Sequence, residues 1–224
     1  MKKNTAYLLF LLIFFSCSHT KTNKGISITS ATSGLIKNQM TPFPVYLIED
    51  LESKAELEKK LSRTLFLIHT GHILKPNVTK EENEKTLTNL STLGIDLVNL
   101  TLEDFVIAED QGIDFENYNQ TFLNSSVLDL NKDTLAAGKN IVSYNVHEGV
   151  AFIGLSDTKL DKKLSKEKYI ISDYVLSILK VKKTALKTAT PTTINSFILI
   201  HTLGSEINDV MSRLPPSFIN SLAD

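Results

Sequence analysis

Three of the five histidines stand at the ends of two short apolar runs. Leu65, Phe66, Leu67 and Ile68 lead into His69-Thr70-Gly71-His72, and Phe197, Ile198, Leu199 and Ile200 lead into His201-Thr202. Imidazole is a common ligand for zinc, iron and related metals. Three protein ligands leave one position open in a catalytic zinc site. His69, His72 and His201 are therefore the candidate metal ligands, and one divalent ion, Zn or Mn, is the candidate cofactor. Glu103 and Asp104 are the candidate base or fourth ligand. The competing reading needs no cofactor: the imidazoles cap strand ends and hydrogen-bond to loop backbone. Ser125-Ser126 has no base at a recognisable spacing, so no nucleophilic triad is indicated. His19 lies in a polar segment and His147 in a turn signal, and neither is assigned a site role.

Such a site needs strands that end side by side. Continuous apolar runs of this length read as strands buried on both faces, as in a parallel sheet, and ligand sites open beyond the carboxyl ends of such strands. Residues 25–31 alternate and are β-branched, which predicts a first strand. Residues 38–44 form a loop with two prolines. Ser53 to Glu56 and Thr79 to Glu82 each match a capping box, predicting helices to about Leu61 and to Gly94, the second with Leu87, Leu90 and Leu93 on one face. Residues 96–100 and Phe122-Leu123 read as strands. Residues 141–146 and 150–155 flank His147-Glu148-Gly149 as a hairpin. Val175, Ile178, Leu179 and Leu186 mark an amphipathic helix, and Ile207, Val210, Met211 and Leu214 a last one before Pro215-Pro216. The acidic residues Asp104, Glu109 and Asp110 read as a solvated helix face, and the lysines between residues 159 and 168 as a solvated loop and helix start. Strands alternating with helices predict an α/β fold, largely parallel, with one hairpin.

The N-terminus is set apart from the fold. Lys2 and Lys3 precede an apolar run, residues 8–15, too short to span a bilayer as a stable helix. It ends in Phe14-Phe15-Ser16-Cys17, which resembles a bacterial lipoprotein signal with its lipobox. The resemblance implies a signal peptide over residues 1–16, lipid on Cys17, and a tether over residues 17–24. It also implies a cell-envelope location, with Ser18 favouring the outer over the inner membrane. Cys17 is the sole cysteine, so no intramolecular disulfide forms. Net charge is −1 and tryptophan is absent. No nucleic-acid footprint is present. The remaining residues, 25–224, suffice for one domain with a sizeable core.

The order of these pieces resembles the calcineurin-like metallophosphoesterases, nearest to the periplasmic 5′-nucleotidase/UDP-sugar hydrolase branch. Four phrases carry the resemblance: LSTLGID at residues 90–96, FLNSSV at 122–127, IVSYNVHEGVAFIGLSD at 141–157 and NSFILIHTLG at 195–204. It implies a four-layer α-β-β-α sandwich of mixed, mostly parallel sheets, shortened at the C-terminus. It also implies a two-metal site, and there the chain departs from the pattern. The first motif's aspartate and histidine fall on Ala31 and Ser33. The aspartates of the second fall on His69 and His72, the bridging one on His72. In the third, the ligand asparagine falls on Leu102 and the general-acid histidine on Glu103. His201 matches a retained histidine, while residues 221–224 lack the last histidine pair. Two cations about 3.5–4 Å apart require a bridging carboxylate and anionic ligands, and these positions do not supply them. The expectation is a lipid-anchored pseudoenzyme that binds a small-molecule ligand or an envelope protein through the old crevice. Two alternatives stand beside it: a divergent metal-dependent phosphoester or nucleotide hydrolase using His69, His72 and His201, and a structural or decayed domain.

Overall fold

The computed structural model describes residues 27–31, 34–35, 43–161, 164, 168–188, 194 and 196–215. The signal segment, Cys17, the tether, Ser33 and residues 221–224 lie outside them. In chain order the elements are β1 (Ser27–Ala31), β2 (Gly34–Leu35), β3 (Val45–Ile48), α1 (Lys54–Leu61), β4 (Phe66–His69), α2 (Lys80–Thr92), β5 (Leu97–Asn99) and α3 (Leu102–Gln111). There follow β6 (Phe122–Leu123), β7 (Val127–Asp129), β8 (Thr134–Leu135), β9 (Ile141–Val142), β10 (Asn145–His147), β11 (Val150–Leu155), β12 (Tyr169–Ile171), α4 (Tyr174–Thr188), β13 (Ser196–His201) and α5 (Glu206–Arg213).

Two large sheets are stacked. One runs β2-β3-β4-β5-β6-β9 and is parallel except for β2; the other runs β1-β13-β11-β10 and is parallel except for β10. Each central strand is apolar on both faces because each face has a layer to meet. In β13, Ile198 and Ile200 face the other sheet, while Phe197 and Leu199 face α4 and α5. In β11, Val150 and Phe152 point between the sheets, and Ala151, Ile153 and Leu155 point to the helices. Opposite them, Val45, Leu47, Ile68, Leu97 and Leu123 complete the inter-sheet core. Burying a side chain of this size stabilises by roughly 1.5–3 kcal/mol. The outer face of the six-stranded sheet is covered by α1, α2 and α3 through Leu57, Leu87, Leu90, Phe105 and Val106. The layers are therefore α-β-β-α, as expected.

Several local expectations are corrected. Residues 141–146 are not one hairpin arm. Ile141-Val142 pairs parallel to β6 in the six-stranded sheet, and only Asn145–His147 pairs with β11 across the Glu148-Gly149 turn. Ser53 stands at the N-cap of α1 without a side-chain cap bond; instead, the Lys54 N–H donates to Leu93 O at 2.8 Å. The box at Thr79 and Glu82 does form. Strand β3 is an element beyond those expected, as is a small antiparallel sheet β12-β7-β8, and the helix face read at Asp104, Glu109 and Asp110 belongs to α3. Asp104 does not lie on a solvated face: it is fully buried, whereas Glu109 and Asp110 are exposed.

Candidate functional site

The parallel strands deliver their carboxyl ends to one edge. There a crevice of about 410 Å³ opens between the sheets. Glu49 and Asp50 follow β3, Thr70, Gly71, His72 and Lys75 follow β4, Asp157 and Lys159 follow β11, and His201 and Thr202 close β13. Asn99, fully buried at the end of β5, joins the two sheets at this edge: its Nδ2 donates to Thr70 O at 2.9 Å and to Leu155 O at 3.1 Å. The approach needs Gly154, because a Cβ there would collide with Asn99 Oδ1.

The loop after β4 is built for close approach. Gly71 has φ 133°, and a Cβ on it would meet Thr101 Cγ2 at 2.5 Å. His72 follows at φ 56°, left-handed backbone that aspartate and asparagine also tolerate. This conformation turns the His72 N–H onto Asp104 Oδ2 at 3.1 Å. Asp104 also accepts from Leu74 N at 2.9 Å, Thr101 N at 2.8 Å and Thr101 Oγ1 at 2.7 Å. It thus closes the capping box that starts α3 and pins the β4 loop in one group. Burial pushes its carboxyl above the usual range, against the pull of the Leu74 and Thr101 donors and of His72.

The His72 ring lies between two carboxylates. Nδ1 is 3.1 Å from Glu103 Oε2, and Nε2 is 3.4 Å from Asp157 Oδ2. Glu103 is held in turn by Asp161 N–H at 3.0 Å, and the backbone N–H of Asp157 donates to Thr202 Oγ1 at 3.0 Å. Hydrogen bonding to Asp157 raises the His72 pKa above the ordinary imidazole value, with Asp104 and Glu103 adding to the rise against burial. Asp157 has only 4% of its side chain exposed, and its Oδ1 has no hydrogen-bond partner among the described residues.

His69 and His201 are in a different state. Gly71 N–H donates to His69 Nδ1 at 3.2 Å, and Leu203 N–H donates to His201 Nδ1 at 3.3 Å. A nitrogen that accepts a backbone N–H carries no proton, so each neutral ring holds its proton on Nε2. Burial, aided by Lys75, lowers the His69 pKa to about 4, and burial lowers that of His201. Metal-ligating histidines have the opposite polarity, donating the remote N–H to a carbonyl or carboxylate and offering the other lone pair to the ion. Here His69 and His201 present Nε2–H, and both nitrogens of His72 face carboxylates. As placed, none offers a free lone pair.

The structure therefore brings His72 and His201 to the crevice and Glu103 onto His72. It puts Asp104 beneath the β4 loop, and His69 is buried without lining the crevice. Among the described residues, no three His, Cys, Asp or Glu side chains are placed to hold one ion. Asp157 is the site residue the sequence reading did not single out. Its signal was the same one that marked the histidines: a polar group just after a fully apolar strand. A second concavity, about 460 Å³, lies between α3 and the small sheet, floored by Phe105, Phe115 and Tyr169 and rimmed by Glu109, Asp114 and Glu116. It is the larger of the two but holds none of the strand-end groups.

No protein-family model matches the chain, and neither does any curated protein. Solved structures do. The chain is similar to a 5′-nucleotidase precursor of Thermus thermophilus, with TM-score 0.56 and 12% identity over 85% of this chain and 39% of that one. It is similar to the sulfate thiohydrolase SoxB of Thermus thermophilus, with TM-score 0.54 and 13% identity over 72% of this chain and 30% of that one. It is also similar to the NAD nucleotidase NadN of Haemophilus influenzae, with TM-score 0.51 and 14% identity over 83% and 35%. The chain spans about a third of the length of these proteins. At such identities the likeness is one of fold, and the fold is that of the calcineurin-like metallophosphoesterases.

Proposed function

We propose that the domain, residues 25–224, is a non-catalytic binding module of the bacterial cell envelope, held to the membrane by lipid on Cys17. Its crevice would take a small molecule or an envelope protein. One observation carries the non-catalytic reading: the ring nitrogens of His69, His72 and His201 are committed to protein partners or protonated on Nε2. A hydrolase of this fold would rely on a metal to activate water and neutralise phosphate charge. The residues as placed do not fit a resident metal. The envelope reading draws on the lipobox at Cys17. No helix among the described residues is long and apolar enough to cross a membrane.

The competing reading is a metal-dependent phosphoester or nucleotide hydrolase, favoured by what two of the similar structures are named for. Purified mature protein, assayed on nucleotides and an aryl phosphate with Zn²⁺ or Mn²⁺ added, separates the two. Background turnover is expected. Turnover together with stoichiometric metal, both lost in His201→Ala, would overturn the non-catalytic reading. For the anchor, Cys17→Ala should leave the membrane fraction, and unchanged fractionation would count against lipidation.

A further inference from the structure

Glu103 on α3, Asp104 one residue later and Asp157 beyond β11 come from two layers of the fold and converge on His72. Two carboxylates at opposite nitrogens of one ring, with a third under its backbone, would repel one another without a positive charge between them. Lys159 gives little, since its Nζ is 3.9 Å from Asp157 and 81% of its side chain is exposed. Lys75 Nζ is engaged with His72 O at 3.2 Å.

We propose that the His72 imidazolium is a built-in cation, a metal-free latch that ties the β4 loop and α3 to the end of β11 and occupies the space a divalent ion would need. The ring lies between Glu103 and Asp157, so no ion can reach both while it is there. The rise of its pKa through Asp157 agrees with this charge. Removing the ring leaves the two carboxylates without a cation between them, and a divalent ion bound by carboxylates keeps several waters.

His72→Asp and His72→Asn test this, because both tolerate the left-handed backbone at position 72 and they differ in charge. Thermal melting of the full chain by circular dichroism is measured in EDTA and in millimolar Mn²⁺. The wild type should melt within about 1 °C of the same temperature in both. H72D should melt well below it in EDTA and rise by about 5 °C or more with Mn²⁺. H72N should fall between them in EDTA and rise less than H72D with Mn²⁺, because it offers the ion one carboxylate fewer. The latch is overturned if the wild type is itself raised by Mn²⁺, if H72D in EDTA melts like the wild type, or if the two variants respond to Mn²⁺ alike. Should H72D fold in neither condition, a double-mutant cycle of H72N with Asp157→Asn decides. Non-additive losses support the latch, and additive ones overturn it. Turnover decides the non-catalytic reading and metal response decides this one, so either can fail alone.

Discussion

The space between the two sheets and the edge where their strands end are held by different forces. Between the sheets, Ile68, Leu97 and Leu123 pack in one apolar cluster with Phe152, Ile198 and Ile200. Such packing depends on volume and is non-directional, so similar side chains substitute for one another at small cost. At the edge, Asp104, Asp157, His69, His201, Thr101 and Ser156 are all buried and polar. Each is held by particular donors and acceptors: Ser156 Oγ alone accepts from Leu102 N at 2.6 Å and donates to Asp157 O at 2.8 Å. A fold can therefore persist through its interior while the chemistry at its edge is rewritten residue by residue.

The largest test of this contrast sets Asp104→Ala against Ile198→Val. The first leaves the N–H groups of His72, Leu74 and Thr101 without their acceptor and should cost about 3–5 kcal/mol in urea unfolding. The second removes one methylene from the interior and should cost about 0.5–1.5 kcal/mol. Equal losses would erase the distinction. Next in size is Gly154→Ala, where a methyl group is forced against Asn99 Oδ1 and Leu123 Cβ. A loss of about 1–3 kcal/mol is expected, and a neutral result would mean that Asn99 does not bridge the sheets as described.

Much of the frame was legible in the sequence, and the reasons are local. Strands β4, β11 and β13 are unbroken apolar runs, and α2 carries both halves of a capping box. Helix α3 was less legible although Thr101 and Asp104 have the same spacing. There the second member is an aspartate that also serves the neighbouring loop, and its burial is invisible along the chain. The crossing of Ile141-Val142 into the other sheet depends on partners distant in sequence, as does the small sheet. At the edge, spacing marked His69, His72 and His201, but what each imidazole does depends on which group meets each nitrogen. Gly71 and Leu203 N–H set two of them; Glu103 and Asp157 set the third.

The pH dependence of stability sharpens the contrast within the edge itself. His72 has a raised pKa when folded, so its stabilisation is full below the unfolded value near 6.5 and is lost as pH rises through the folded value. His69 has a depressed one, so its contribution is full above about 6.5 and is lost as pH falls toward about 4. His201 follows the direction of His69. The stability gap between wild type and H72N should therefore narrow on the alkaline side, whereas a gap opened by His69→Asn should narrow on the acid side. Urea unfolding across this range measures both, and parallel curves would contradict the opposite charge states. The smallest effect belongs to Lys159→Ala, expected within about 0.5 kcal/mol because the amine is exposed and distant from its carboxylate.

The most direct measurement of the central claim is nitrogen NMR of the imidazoles in the folded chain, with and without Zn²⁺. His72 should be doubly protonated at neutral pH, His69 and His201 should be neutral with the proton on Nε2, and none should change when Zn²⁺ is added. A His201 ring protonated on Nδ1 whose Nε2 signal moves with one equivalent of Zn²⁺, beside a neutral His72, would contradict the account.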